Sequence, residues 1–173
     1  LDFVNFDETG RLPLQAKRNA VPSDHSDSLE IQAFRRIVDD IPLTVTLSIH
    51  LRVSGKNREV TLGPLFPEGF ILQALNSPLA TQLESDGRMR VSLRPGSDHQ
   101  IEVTARLPTA TTSIILPEIP EPWPKEEVWV FDARPENRQV TLSGGASIDP
   151  AQTQLPESWR ALPAYRLLPG ETL

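Results

Sequence analysis

Three histidines and a scatter of carboxylates are the residues of this chain with the most chemistry to offer. His25 and His99 each end a Ser-Asp-His triplet, Ser23-Asp24-His25 and Ser97-Asp98-His99. Folded against each other, the two triplets would supply Asp24, His25, Asp98 and His99, a carboxylate and imidazole set of the type that holds zinc. The same residues are ordinary turn formers and no ligand-spacing motif links them, so no metal is assigned and the four stand only as candidates. A Ser-His-Asp hydrolase triad drawn from them meets the same objection. His50 alternates with apolar neighbours and is expected to be a solvated imidazole on a strand face rather than a general base. Asp39-Asp40 and Glu126-Glu127 are adjacent pairs, and on a strand the two members of each pair point to opposite faces, which prevents joint acid-base work. Asp24, Asp27 and Glu30 offer oxygen ligands for calcium, but the sharp-turn glycine of an EF-hand loop is missing.

Two further groups suit binding. In Asp86 to Arg106, DGRMRVSLRPGSDHQIEVTAR, the arginines Arg88, Arg90, Arg94 and Arg106 alternate with apolar residues. They read either as a basic binding patch or as the solvent face of a β-hairpin turning at Pro95-Gly96-Ser97-Asp98-His99, with Arg-to-Glu102 cross-strand pairing. Sugar binding on a β scaffold uses aromatic platforms, and Trp123, Trp129, Trp159 and Tyr165 are the candidates outside the Phe set. Trp129 and Trp159 have core roles in the strand and helix patterns, which leaves Trp123 on the proline-rich stretch and Tyr165 near the C-terminus, with Trp123 as the stacking candidate. The Gly-x-Ser-x-Gly elbow, the phosphate loop, Gly-x-Gly-x-x-Gly and His-Glu-x-x-His are all absent. No cofactor is expected.

The elements that must position these residues are strands. Leu43, Val45, Leu47, Ile49, Leu51 and Val53 alternate without a break with polar partners, six apolar residues at period two. Ser54-Gly55-Lys56-Asn57 then turns the chain, and Arg58 to Leu62 is expected to return along it as a hairpin. Residues 29–38 mix strand alternation with a helical stripe through Phe34, Ile37 and Val38, and are taken as strand. Glu127 to Asp132 is apolar on both faces, as in a central strand covered on two sides. Four prolines from Pro117 to Pro124 mark residues 115–125 as a polyproline-type connector, with docking to an aromatic-grooved partner as the functional alternative. Asp149-Pro150 and the Leu155, Trp159, Leu162 spacing predict one or two short C-terminal helices.

The fold expected is therefore all-β: an antiparallel β-sandwich of jelly-roll, immunoglobulin-like or prealbumin-like kind over residues 29–173. Residues 1–28 form a loosely structured lead-in, in which Phe3-Val4-Asn5-Phe6 and Leu12-Pro13-Leu14 are candidate edge strands. At 173 residues the chain suits one main domain. Its net charge of −6 argues against nucleic acid and anionic membranes as general partners. No apolar run is long enough to span a bilayer, and the lack of Cys excludes disulfides and thiolate chemistry. Position 1 is Leu and the only Met is Met89, so the natural chain is expected to extend upstream, as a processed or excised piece.

The C-terminal third carries a resemblance. Val128-Trp129-Val130-Phe131, the Asp149-Pro150 to Leu155-Pro156 run, Trp159-Arg160 with Leu162-Pro163-Ala164-Tyr165, and Pro169-Gly170 resemble segments of large uncharacterised envelope-associated proteins of Gram-negative bacteria. The resemblance carries no activity. It implies an extracytoplasmic module, periplasmic or membrane-anchored through its parent, whose partners are neighbouring domains of the same polypeptide or another envelope protein. Two functions stand: a non-catalytic interaction or spacer module, or a carbohydrate-binding or carbohydrate-processing domain with a glycan partner. Buried tryptophans favour the first; an exposed Trp123 beside convergent polar groups favours the second.

Overall fold

The structure is a computed structural model that describes residues 27–96 and 98–173. The lead-in, with its two candidate edge strands and with Asp24 and His25, lies outside the described residues, as does Ser97. Among the described residues ten strands form two sheets: β1 (Ser28–Val38), β2 (Leu43–Ser54), β3 (Arg58–Leu62), β4 (Ile71–Asn76), β5 (Thr81–Leu83), β6 (Met89–Leu93), β7 (Asp98–Leu107), β8 (Glu127–Asp132), β9 (Ala146–Ile148) and β10 (Ala164–Leu167). Seven strands form a sheet in the order β4-β7-β2-β1-β8-β10-β9, and three form a second in the order β3-β6-β5.

The large sheet is mixed rather than wholly antiparallel, because β8 runs parallel to β1 in the register Phe34 to Val128. A parallel neighbour requires a crossover, and here everything from β2 to the proline-rich segment lies between the two strands. β1 and β2 pair antiparallel along their whole length, from Ser28 with Ser54 to Val38 with Thr44. The helical stripe in residues 29–38 has a plain cause. The C-terminal half of β1 is buried on both faces, Phe34 in one core cluster and Ile37 in another, so apolar residues stop alternating.

Two expected hairpins turn out to be passages between sheets. β3 does not return along β2, whose two edges are taken by β1 and β7; it pairs with β6 in the small sheet. Likewise β6 belongs to the small sheet and β7 to the large one, so the arginine-bearing strands are not neighbours. The physical reason is coverage. Ile31, Leu47, Ile49, Leu51, Ile101 and Val103 make one face of the large sheet apolar, and Leu62, Met89, Val91 and Leu93 from the small sheet close that core. At the first passage Gly55 takes φ +91°, and a Cβ there would fall 2.0 Å from the Asp27 carboxylate, which accepts the Lys56 N–H at 2.8 Å.

β8 is covered on both sides. Trp129 and Phe131 enter a cluster with Ile37, Val45, Leu116 and Leu167, while Val130 packs with Phe34, Leu155, Trp159 and Ala164. The segment that supplies Leu155 and Trp159 contains single 3-10 turns, Pro150–Gln152 and Glu157–Trp159, in place of longer helices. Asp149 caps the first by accepting the Ala151 N–H at 2.9 Å. Among the described residues no helix is long and apolar enough to cross a membrane. The proline-rich connector is not one extended rod, since the Trp123 N–H closes a turn on the Pro120 carbonyl at 3.2 Å.

Candidate functional site

Glu127 opens β8 with its side chain on the same face as Trp129, and Arg35 lies on the matching inward face of β1. The pair is fully inside, with side chains 2% and 0% exposed. Arg35 donates through Nε to Oε2 at 2.6 Å and through Nη2 to Oε1 at 3.1 Å. The indole N–H of Trp123 reaches Oε1 at 2.9 Å and that of Trp129 reaches Oε2 at 2.7 Å. The guanidinium also lies over the rings of Phe66 and Trp129, at 5.3 and 5.6 Å. Four donors on two carboxylate oxygens leave Glu127 no free lone pair with room for a substrate proton. This node holds the connector to both strands and is structural.

The adjacent carboxylate pairs separate, one member inward and one outward, just beyond the end of β1 and at the start of β8. Glu127 is buried and Glu126 faces solvent beside Arg166; Asp39 is buried and Asp40 is exposed near Arg134. Asp39 is held by the Arg138 guanidinium, and Asp132 takes Arg36 and Arg134. The carboxylates of this cluster are therefore already neutralised by arginines on neighbouring segments.

The four arginines of the patch do not gather. Arg88 meets Asp86 at 3.5 Å in the turn before β6 and Arg90 meets Glu84 at 2.5 Å from the small sheet; Arg94 is exposed in the passage between sheets. Arg106 is on β7, opposite Thr44, and the expected pairing of these arginines with Glu102 does not form. Trp123 is 6% exposed and lies in the core with Ile49, Met89 and Val103. A stacking platform needs an open ring face, and this ring has none of that extent.

What the sheet does assemble is a shallow cleft of about 200 Å³ on its outer face. Register places Gln32, His50 and Gln100 in one cross-strand row and Glu30, Arg52 and Asp98 in the next. Arg52 bridges Glu30 and Asp98 at 3.2 Å each. The His50 ring packs edge-on against Phe34 at 5.0 Å, and its Nε2 is buried without a hydrogen-bond partner among the described residues. Desolvation holds the imidazole below its ordinary value of 6.5, against the opposing pull of Glu102 and Asp98. His99 also borders the cleft, its Nε2 2.9 Å from the Arg94 carbonyl oxygen. Among the described residues no three His, Asp or Glu side chains converge as a metal site.

No protein-family model, curated protein or solved structure matches this chain. The geometry is thus the sole basis for reading the site. The Arg35–Glu127 node was legible in one respect: Arg35 continues the inward series Leu29, Ile31, Ala33, and Glu127 the series Trp129, Phe131. A charge in an inward register demands a buried partner. The cleft had no such signal, because its rows exist only after three strands are aligned.

Proposed function

We propose that this domain is a non-catalytic interaction or spacer module of a larger extracytoplasmic bacterial envelope protein, built on a β-sandwich. The observation that carries the reading is that the buried ionic groups are spent on joining segments: Glu127 takes four donors from Arg35, Trp123 and Trp129, which locks the proline-rich connector to β1 and β8. Across this locked core Ser28, whose Oγ lies 2.6 Å from Ser54 Oγ, and Leu173, which shares a groove with Ile37, Leu43 and Phe131, lie at opposite ends of β1, about 30 Å apart at strand rise.

A second feature reinforces it. Leu173 is tied in by reciprocal bonds with Ile114, at 2.9 and 3.0 Å, and Leu116 donates to Glu171, so the segment covering this end of β1 is held by paired backbone. The test places fluorophores at Ser28 and Leu173 and measures their separation by energy transfer. A single fixed separation on the order of 30 Å supports a rigid spacer; a broad distribution of separations would sink it.

The outer cleft favours the second reading, a carbohydrate-binding domain, because amide, carboxylate and guanidinium groups converge around His50. A glycan array run on the protein and on His50→Ala decides it. Binding that His50→Ala abolishes would displace the spacer reading.

A further inference from the structure

Strand edges separate into two kinds in this molecule. β3 carries Arg58 and Glu59, and β5 and β9 are three residues each, which are the usual ways of discouraging an unwanted extra strand. β4 is different. Ile71-Leu72-Gln73-Ala74-Leu75-Asn76 has no charge and no proline, and it pairs only with β7 among the described residues. Ile71 is 46% exposed and Leu75 38%. A single bulge at Gln73, between Leu72 and Ala74, is the one blunting device present.

We propose that β4 pairs antiparallel with β4 of a second copy, joining two seven-stranded sheets across a twofold axis. An uncharged strand does not repel itself, and a twofold brings the Ile71 end of one copy against the Asn76 end of the other. The next strand in supplies the complementarity. Ile71 lies beside Arg106 and Asn76 beside Glu102 on β7. The twofold therefore sets each Arg106 toward the partner copy's carboxylate row, three strand spacings or about 14 Å from backbone to backbone, within the combined reach of the two side chains. Arg106 has no ion pair among the described residues, and its buried Nε has no acceptor there. The copies carry −6 each, a repulsion that salt near 0.15 M screens beyond about 8 Å. One strand pair buries less than about 1,200 Å², so the dimer is weak and concentration-dependent.

Sedimentation velocity across a dilution series, at fixed physiological salt, tests this on the whole chain. The expected result is a reversible monomer–dimer equilibrium that Ala74→Lys abolishes. Arg106→Glu and Glu102→Arg alone each weaken it by roughly tenfold through like-charge contact, and the double swap restores it. Hydrogen exchange adds a local readout: β4 amides gain protection as concentration rises. A monomer at every concentration overturns the proposal, as does a dimer that survives Ala74→Lys. Failure of the double swap to restore association overturns the twofold register. Protection of β4 that does not depend on concentration would assign the edge to residues of the same chain and overturn it as well.

Discussion

Arg35 and Arg52 sit on neighbouring strands of one sheet, Arg35 paired with one carboxylate and Arg52 bridging two, and they do opposite work. Arg35 faces inward, where Glu127 and two indole N–H groups close a network with side chains 2% and 0% exposed. Arg52 faces outward, bridging Glu30 and Asp98 with side chains between 57% and 74% exposed. The chemistry of the groups is the same, so the difference lies in the medium. Out of water, an unmatched charge costs several kcal/mol and every partner becomes obligatory. In water the same bridge competes with solvent and salt, and its carboxylates stay free to meet a ligand. Saturation thus marks the inner cluster as architecture, and incomplete pairing marks the outer one as the surface on which to look for binding.

The contrast is broken most directly at its buried side. Glu127→Ala leaves a buried guanidinium and two indole N–H groups without their acceptor, and should cost about 3–5 kcal/mol in urea or thermal unfolding. A loss under about 1 kcal/mol would mean that the node relaxes into contact with water. Trp123→Phe keeps an aromatic ring but removes the indole N–H and part of the buried volume, so a smaller loss of about 1–3 kcal/mol is expected. Tryptophan emission of the parent should already be that of buried rings, since Trp123, Trp129 and Trp159 are all inside.

On the outer side the effects become conditional. His50 is held below its ordinary 6.5 when folded, so the unfolded chain binds the proton more readily. Stability contributed by neutral His50 is present at neutral pH and is lost as pH falls through about 6.5 toward the lower folded value. Denaturation midpoints measured between pH 8 and 5 should show that slope, and His50→Gln should flatten it. An unchanged slope in the variant would assign the effect to another group. Arg52→Ala is the smallest perturbation. It should leave the melting temperature unchanged within error while altering any ligand binding in the cleft, and a clear drop in melting temperature would erase the distinction drawn here.

Much of this was readable before any coordinates. The alternation from Leu43 to Val53 names a strand and its buried face, and the double-sided burial of Glu127 to Asp132 places it between covering layers, because side chains on a pleated backbone must alternate. The place of Arg35 in line with Leu29, Ile31 and Ala33 is a signal for a buried partner that alternation carries, but alternation does not name the carboxylate. Trp123 was harder. On a proline-rich stretch it had no periodicity to assign it a face, so a surface platform and a core anchor looked alike until the connector turned at Pro120.

Partner choice was the part that the sequence left open, and the two passages between sheets show why. Ser54 to Asn57 and Pro95 to His99 carry the residues of a hairpin turn, yet β2 and β3 pair in different sheets, as do β6 and β7. Side-chain pattern fixes which face of a strand is apolar, and this sequence determined that for most of its strands. Backbone hydrogen bonds carry no residue identity, so which strand lies beside which depends on where distant segments find an uncovered apolar face. Only the tertiary structure could decide that β3 and β6 cover the core of the large sheet, that Trp123 closes on Glu127, and that His50 comes to line a cleft.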